Sequence, residues 1–280
     1  MEARRAQEMP SLLDNLTPEE RKTLDQFREA VPVKAHDHVL ARFLRARKFV
    51  FEKSLEMYNN YLKWRIDQRV DEVASYDFPE FQTVKSIYPH GFHKTDRLGR
   101  SIYIERLGNL DINHLFSITT DERMIRYYIR EYESMIKLRI PACSIAAGCL
   151  IEQTFTILDL GGSSTKLMKK NVYNFVKLAS GMAQDFYPEI LGKMFIINTP
   201  MLFSVAWKII KPWLDERTQK KISTEGSKYQ VKLLEYVAPE NLPDFFGGTC
   251  RCEEGCLMSD AGPWKDPEIL RRLQEADIQI

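Results

Sequence analysis

The sequence has no clean run of about 20 apolar residues, the length a bilayer-spanning helix needs. Its two most apolar stretches, Pro141–Leu160 and Met201–Leu214, are interrupted or flanked by charge and proline. Met1–Leu16 is polar and charged, without the apolar core and small-residue cleavage site of a signal peptide, so a cytosolic chain is expected. Charge of one sign is also missing: 40 Lys and Arg oppose 39 Asp and Glu, leaving +1 across 280 residues. That balance excludes a polyanion-coating protein, and 44% hydrophobic content argues against a disordered chain. Five cysteines, an odd number with no secretory signal, fit reduced thiols better than a disulfide framework.

Signatures of catalysis are absent too. Gly161-Gly162-Ser163-Ser164-Thr165-Lys166 follows an apolar run as a phosphate loop would, but lacks the GxxxxGK[ST] spacing. Neither a GxSxG elbow nor an HExxH helix occurs. Cys250, Cys252 and Cys256 have no histidine near them in sequence and make an incomplete zinc set, so no metal is expected. His36, His38, His90, His93 and His114 are scattered. No catalytic residue and no cofactor are assigned, and the chain reads as a non-enzyme.

What is present is two kinds of grammar. From Ser11 to Asp77 the chain reads as helices. Thr17-Pro18-Glu19-Glu20 is a capping box with proline at the first helical position, followed by Leu24, Phe27 and Arg28 at helical spacing. A second helix starts near Asp37, with Val39, Leu40, Phe43 and Leu44 on one side and Arg42, Arg45, Arg47 and Lys48 on the rest. A third runs from Phe51 to about Gln68 on the stripe Leu55, Tyr58, Leu62 and Ile66. After Pro79, strands at Ser101–Leu107, Thr154–Leu160 and Lys193–Asn198 alternate with helices at Thr120–Arg139 and Thr165–Gln184. Such alternation predicts an α/β sheet of largely parallel strands.

Three features stand apart. In Met201–Leu214 the apolar residues surround the helix instead of forming one stripe, which fits either a helix buried on all sides or a mobile flap over an apolar space or a lipid surface. In the strand Thr154–Asp159 the hydroxyls of Thr154 and Thr156 share one face and Phe155 and Ile157 the other. They fit a polar headgroup in an apolar pocket, or plain β-propensity. The run Arg42–Phe49 alternates cations with apolar anchors and fits a phosphate site or a solvated face.

Nine motifs in order carry a resemblance: Phe43–Phe49, His93–Asp96, Gly99-Arg100, Glu131–Glu133, Leu158–Leu160, Tyr187–Glu189, Ile196–Pro200, Lys211–Asp215 and Pro239–Pro243. Together they resemble the CRAL-TRIO lipid-binding family over about Leu12 to Asp266, most closely its fungal phosphatidylinositol/phosphatidylcholine transfer branch. The resemblance implies an α/β fold. Its parts are an N-terminal helical tripod (1–77), a CRAL-TRIO lobe (78–265) whose mixed, largely parallel sheet floors an apolar lipid cavity closed by a gate helix, and a C-terminal tail (266–280). It also implies that Met201–Leu214 is the gate, formed by Leu202, Phe203, Trp207, Ile210 and Trp213, with hinge glycines at Gly192 and Gly248.

The same resemblance implies a phosphatidylinositol headgroup site at Arg47, Lys48, Glu189, Thr218 and Lys221. A second phospholipid, phosphatidylcholine in relatives, is implied at Tyr103, Tyr132, Thr154, Thr156 and Phe92. Thr154 stands for a serine and Phe92 for a tyrosine, which removes one phosphate donor and keeps an aromatic face. The implied function is transfer of these lipids between membranes, promoting phosphoinositide synthesis and Golgi vesicle trafficking. Implied partners are the phospholipids, a transient membrane surface and phosphatidylinositol kinases, with no nucleic acid. A monomer is expected, cytoplasmic and transiently on Golgi or endosomal membranes. A carrier of a sterol, tocopherol or retinoid remains the alternative.

Overall fold

A computed structural model describes residues 11–108, 110–163 and 170–275. Most of Met1–Leu16, Ser164-Thr165-Lys166 of the glycine-rich loop, the expected start of the following helix and the last five residues of the tail lie outside the described residues.

The helical part opens with α1 (Pro18–Ala30), α2 (Asp37–Ala46) and α3 (Phe51–Asp67). Their ends follow local chemistry: the Glu20 N–H donates to Thr17 Oγ1 at 3.2 Å while the Thr17 N–H donates to Glu20 Oε2 at 2.9 Å. Leu24, Phe27, Leu40, Phe43, Leu44, Met57 and Tyr58 bury one core between the three helices. Ile66, expected on the buried stripe of α3, is exposed. Two residues of that last turn face the rest of the protein instead: Trp64 stacks on Phe186 at 4.1 Å and Arg65 pairs with Glu133 at 2.9 Å, which leaves Ile66 outward. Arg42, expected on the solvated or phosphate-facing side of α2, is 5% exposed, and Glu152 partly offsets the burial of its charge.

A 3₁₀ turn (Val70–Ser75) leads to α4 (Phe81–Ile87), then β1 (His90–Thr95) and β2 (Ser101–Arg106). Next come α5 (Ile112–Ile118), α6 (Asp121–Ser134) with a π turn (Met135–Arg139), α7 (Ile140–Ala147), β3 (Thr154–Asp159), α8 (Lys170–Phe186) and β4 (Leu191–Ile197). The chain ends through α9 (Phe203–Ile210), a 3₁₀ turn (Lys211–Trp213), α10 (Glu216–Lys221), β5 (Ile222–Thr224), α11 (Gln230–Tyr236) and α12 (Pro267–Glu275). The strands form one sheet in the order β1-β2-β3-β4-β5, antiparallel only between β1 and β2. β1 and β5 are additions to the expected strands. β1 carries a glycine, two histidines and a lysine, and β5 has three residues, so neither shows an apolar run.

Pleating divides the sheet chemically. Ile102, Ile104, Phe155, Ile157, Phe195 and Ile197 pack on Tyr229, Leu233, Val237, Leu242, Phe246 and Leu257 of α11 and the segment after it. The opposite face carries Phe92, Tyr103, Thr156 and Met194 in register across four strands. Phe92, Met135, Ile140, Ile151, Tyr187 and Trp264 form the apolar cluster on that side, with Tyr103 and Tyr132 half-buried against it. The Tyr103 and Thr156 side chains of that row thus stand within apolar surroundings.

Candidate functional site

The first cluster lies where the helical part meets the lobe. Arg47 and Lys48, expected on α2, lie just beyond it: Arg47 is its C-cap, and Lys48 and Phe49 turn back with φ of 53° and 57°. That left-handed backbone is costly for non-glycine residues. Arg47 pairs with Asp185 near the end of α8 (3.6 Å), and Lys48, in the turn, with Glu216 in α10 (3.5 Å).

Glu189 also has a positive φ, 62°, in the Tyr-Pro-Glu turn. Its carboxylate is buried and holds two cations, Lys221 Nζ at 2.9 Å and Arg217 Nη1 at 3.3 Å. Arg217 also donates to the Arg45 carbonyl at 3.4 Å, and burial followed by repulsion from Arg217 depresses the Arg45 guanidinium. Thr218 Oγ1 donates to Asp215 Oδ2 at 2.6 Å, which leaves its lone pairs to accept a bond. Burial opposes the charge of Asp215, but the Thr218 hydroxyl and the Arg217 and Thr218 backbone N–H groups outweigh it and hold its pKa low. The five expected headgroup residues are therefore brought into one neighbourhood, and Arg45, Arg217 and Asp215 join them. Arg217 is the cation the sequence reading missed; its position one residue before Thr218 is the signal that could have found it.

The second cluster is on the sheet face. Tyr103 Oη donates to Glu105 Oε1 at 2.8 Å, and both residues are half-buried. Burial pushes the Glu105 carboxyl up, against the Tyr88 and Tyr103 hydroxyls that favour its charge. Thr154 and Thr156 are buried on the same face. Tyr132 stacks on Tyr187 at 4.4 Å. Phe92 lies 4.9 Å from Tyr103, and the Arg139 guanidinium sits 4.3 Å from the Phe92 ring centre, so a cation of the protein already covers one face of that ring. Glu105 was not expected here; the alternation Tyr103-x-Glu105 placed it on this face.

The third element is α9. Phe203, Trp207 and Ile210 are half-buried and Ala206 is buried, while Leu202, Val205 and Ile209 are exposed and Met201 is 97% exposed. Of the expected gate residues, Phe203, Trp207 and Ile210 face inward, Trp213 is half-buried beyond them, and Leu202 faces out. The apolar residues all round the helix thus resolve into an inner and an outer stripe. Both ends are tethered. Gln184 Nε2 donates to the Trp213 carbonyl at 2.9 Å and its Oε1 accepts from the Asp215 N–H at 2.8 Å. Thr199 donates through its N–H and hydroxyl to the Glu225 carbonyl at 3.1 and 3.0 Å.

The CRAL/TRIO domain pattern matches residues 85–248, more than half of the chain. This chain belongs to the CRAL/TRIO family. It is 45% identical over 237 residues to the Sec14 cytosolic factor of Schizosaccharomyces pombe, covering 84% of this chain and 82% of that one. It is 41% identical over 269 residues to the phosphatidylinositol/phosphatidylcholine transfer protein SFH11 of Arabidopsis thaliana, covering 92% of this chain and 72% of that one. The crystal structure of Sfh5 superposes with a TM-score of 0.68 at 19% identity, covering 94% of this chain and 98% of that one, a likeness of fold.

In this CRAL/TRIO chain the two expected hinge glycines sit at close approaches. A Cβ at Gly192 would lie 2.8 Å from Arg100 Nη1, and one at Gly248 would lie 1.9 Å from the Leu242 carbonyl oxygen. Gly192 lies inside β4, where its missing side chain lets the buried Arg100–Asp96 pair pass. Packing alone gives both glycines a reason. Metal chemistry also reads differently in three dimensions: the histidine that Cys250, Cys252 and Cys256 lack in sequence is supplied by β1, as His93.

Proposed function

We propose that this CRAL/TRIO protein exchanges phosphatidylinositol and a second phospholipid, phosphatidylcholine, between membranes. The observation that carries the reading is the buried Glu189 carboxylate holding Lys221 and Arg217, beside Arg47, Lys48 and Thr218. Cations suit the phosphodiester, and Glu189 and Thr218 can accept bonds from inositol hydroxyls. The Arabidopsis thaliana relative, a phosphatidylinositol/phosphatidylcholine transfer protein, supports both lipids.

The second headgroup is read onto Thr154, Thr156, Tyr103 and Tyr132, beside Glu105, with Phe92 as an apolar wall. The helical part (1–77), lobe (78–265) and tail (266–280) are read as one carrier, without bond chemistry. Its α9 swings out at a bilayer on Gly192 and Gly248 so that acyl chains pass between apolar surroundings without crossing water. The outer stripe of α9 supports transient membrane contact. No described helix is long and apolar enough to cross a membrane. The Schizosaccharomyces pombe relative is named a cytosolic factor, which supports a cytoplasmic carrier; that it is a monomer visiting Golgi or endosomal membranes is part of the same proposal. Delivery of phosphatidylinositol to lipid kinases there belongs to the same proposal.

Mass spectrometry of organic extracts from the purified chain tests it. Wild type should carry phosphatidylinositol and phosphatidylcholine. Lys221→Ala should lose phosphatidylinositol by about tenfold or more, the loss of one charge-assisted contact, and keep phosphatidylcholine. Equal loss of both lipids would refute the headgroup assignment, and a sterol, tocopherol or retinoid in both proteins would move the function to another ligand.

A further inference from the structure

A cluster used by neither headgroup lies on the other side of the sheet. His93 of β1 and Cys250, Cys252 and Cys256 of the segment after α11 bring one imidazole nitrogen and three sulfurs within 4.8 Å of one another. Cys250 Sγ and Cys252 Sγ are 3.8 Å apart. Two thiolates on one tetrahedral zinc, with Zn–S bonds of about 2.3 Å, stand about 3.8 Å apart.

The backbone is built to hold this set. A bulge puts one extra residue between Phe92 and Thr95 of β1, with Lys94 at φ 50°, and bulges re-aim side chains. Cys250 is fixed by its N–H to the Leu242 carbonyl (3.1 Å) and by the Asp244 N–H to its own carbonyl (3.1 Å). The Gly255 N–H donates to the Cys252 carbonyl at 2.9 Å, and the positive φ of Gly255 (82°) closes a tight turn that returns Cys256 toward the other two thiols. His93, Cys250 and Cys256 are buried. Both ring nitrogens of His93 are buried without a hydrogen-bond partner, although the Cys256 backbone lies close by. A fully enclosed imidazole with two unused nitrogens is rare, because such groups are costly to bury unpaired.

We propose that His93, Cys250, Cys252 and Cys256 bind one zinc ion that fastens the C-terminal segment to β1. Thiolate-rich sets select thiophilic ions over magnesium or calcium, and four protein ligands close the coordination shell, as structural zinc sites do. Each cysteine thiol gives up its proton to solvent on binding and ligates as a thiolate. The ion joins existing ties between the same partners. Leu257 lies so close to β1 that a Cβ on Gly91 would meet its carbonyl oxygen at 2.6 Å, and Lys85 Nζ donates to that oxygen at 2.9 Å. Beyond it, Trp264 packs edge-on to Phe92, which shares the opposite sheet face with Tyr103. Zinc would thus brace β1 from behind.

The full chain, purified under reducing conditions without chelator, should contain about one zinc per chain by plasma mass spectrometry. Cys252→Ser and His93→Ala should lose it on dialysis, and Cys149→Ser, an exposed thiol elsewhere, should keep it. Cobalt added to the stripped wild type should give thiolate charge-transfer and tetrahedral d–d absorption, a readout that holds even if a variant folds poorly. Removal of zinc by chelator should lower the melting temperature of wild type and leave that of Cys252→Ser unchanged. Less than about a tenth of an ion per chain with no tetrahedral cobalt spectrum would overturn the proposal, as would iron or copper in place of zinc, or zinc retained by both variants.

Discussion

Glu189 and His90 show how single side chains take their chemistry from their neighbours. At Glu189 a strained backbone holds a buried carboxylate against two cations, so removing one cation alters a prepared site and not a lone surface charge. His90 is fully enclosed: its Nδ1 donates to the Tyr88 carbonyl and its Nε2 accepts from Tyr127 Oη, both at 2.7 Å. Burial pushes its pKa down to about 3. The unfolded chain then takes up this proton between about pH 6.5 and 3 while the native protein does not. The neutral ring's stabilisation is therefore full above pH 6.5 and fades as pH falls. In denaturant titrations between pH 7 and 4, His90→Gln should flatten the decline of stability by up to about 1.4 kcal/mol per pH unit. An unchanged slope would refute the assignment. Arg47 and Lys48 were marked in the sequence by the motif Phe43–Phe49, and Lys221 only by its place after the gate in the family resemblance; Arg217 and Glu105 were not marked, because an ordinary helix or strand position singles out neither.

At the scale of elements, α9 is the one whose pattern was most visible and least decisive. Apolar residues around a short helix say that both sides meet something apolar, but not which side meets the protein. The fold answers that by pinning Trp213 and Asp215 to Gln184 and turning Val205 and Ile209 outward. Val205→Asp with Ile209→Asp should reduce lipid transfer between vesicles by about tenfold or more, since the added charges resist entry into a bilayer. Their melting temperature should stay near that of wild type, because both positions are already exposed. Undiminished transfer would remove α9 from membrane contact. The capping box of α1 was legible to the residue because every partner lies within four positions. The bulge in β1 was not, because a bulge is defined by the strand beside it.

Over the whole molecule, the joints that hold the helical part to the lobe include Trp64 on Phe186, His38 to Glu152 at 2.7 Å, and Arg65 to Glu133, which also accepts from Tyr187 Oη at 3.0 Å. Arg65→Ala should cost about 2 kcal/mol in urea denaturation, the loss of a charged hydrogen bond, with Lys137 still paired to Glu133 at 3.0 Å. A loss below about 0.5 kcal/mol would mean the joint contributes little. By itself, the sequence determined the helices of the N-terminal part, the parallel α/β alternation and the family. Those rest on periodicity, capping and short ordered motifs, all of which act over a few residues. Only the tertiary structure decided that Arg42 is buried, that Arg217 joins Glu189, and that His93 meets three distant cysteines. Those depend on sheet register and on which faces pack together, and no local pattern along the chain encodes either.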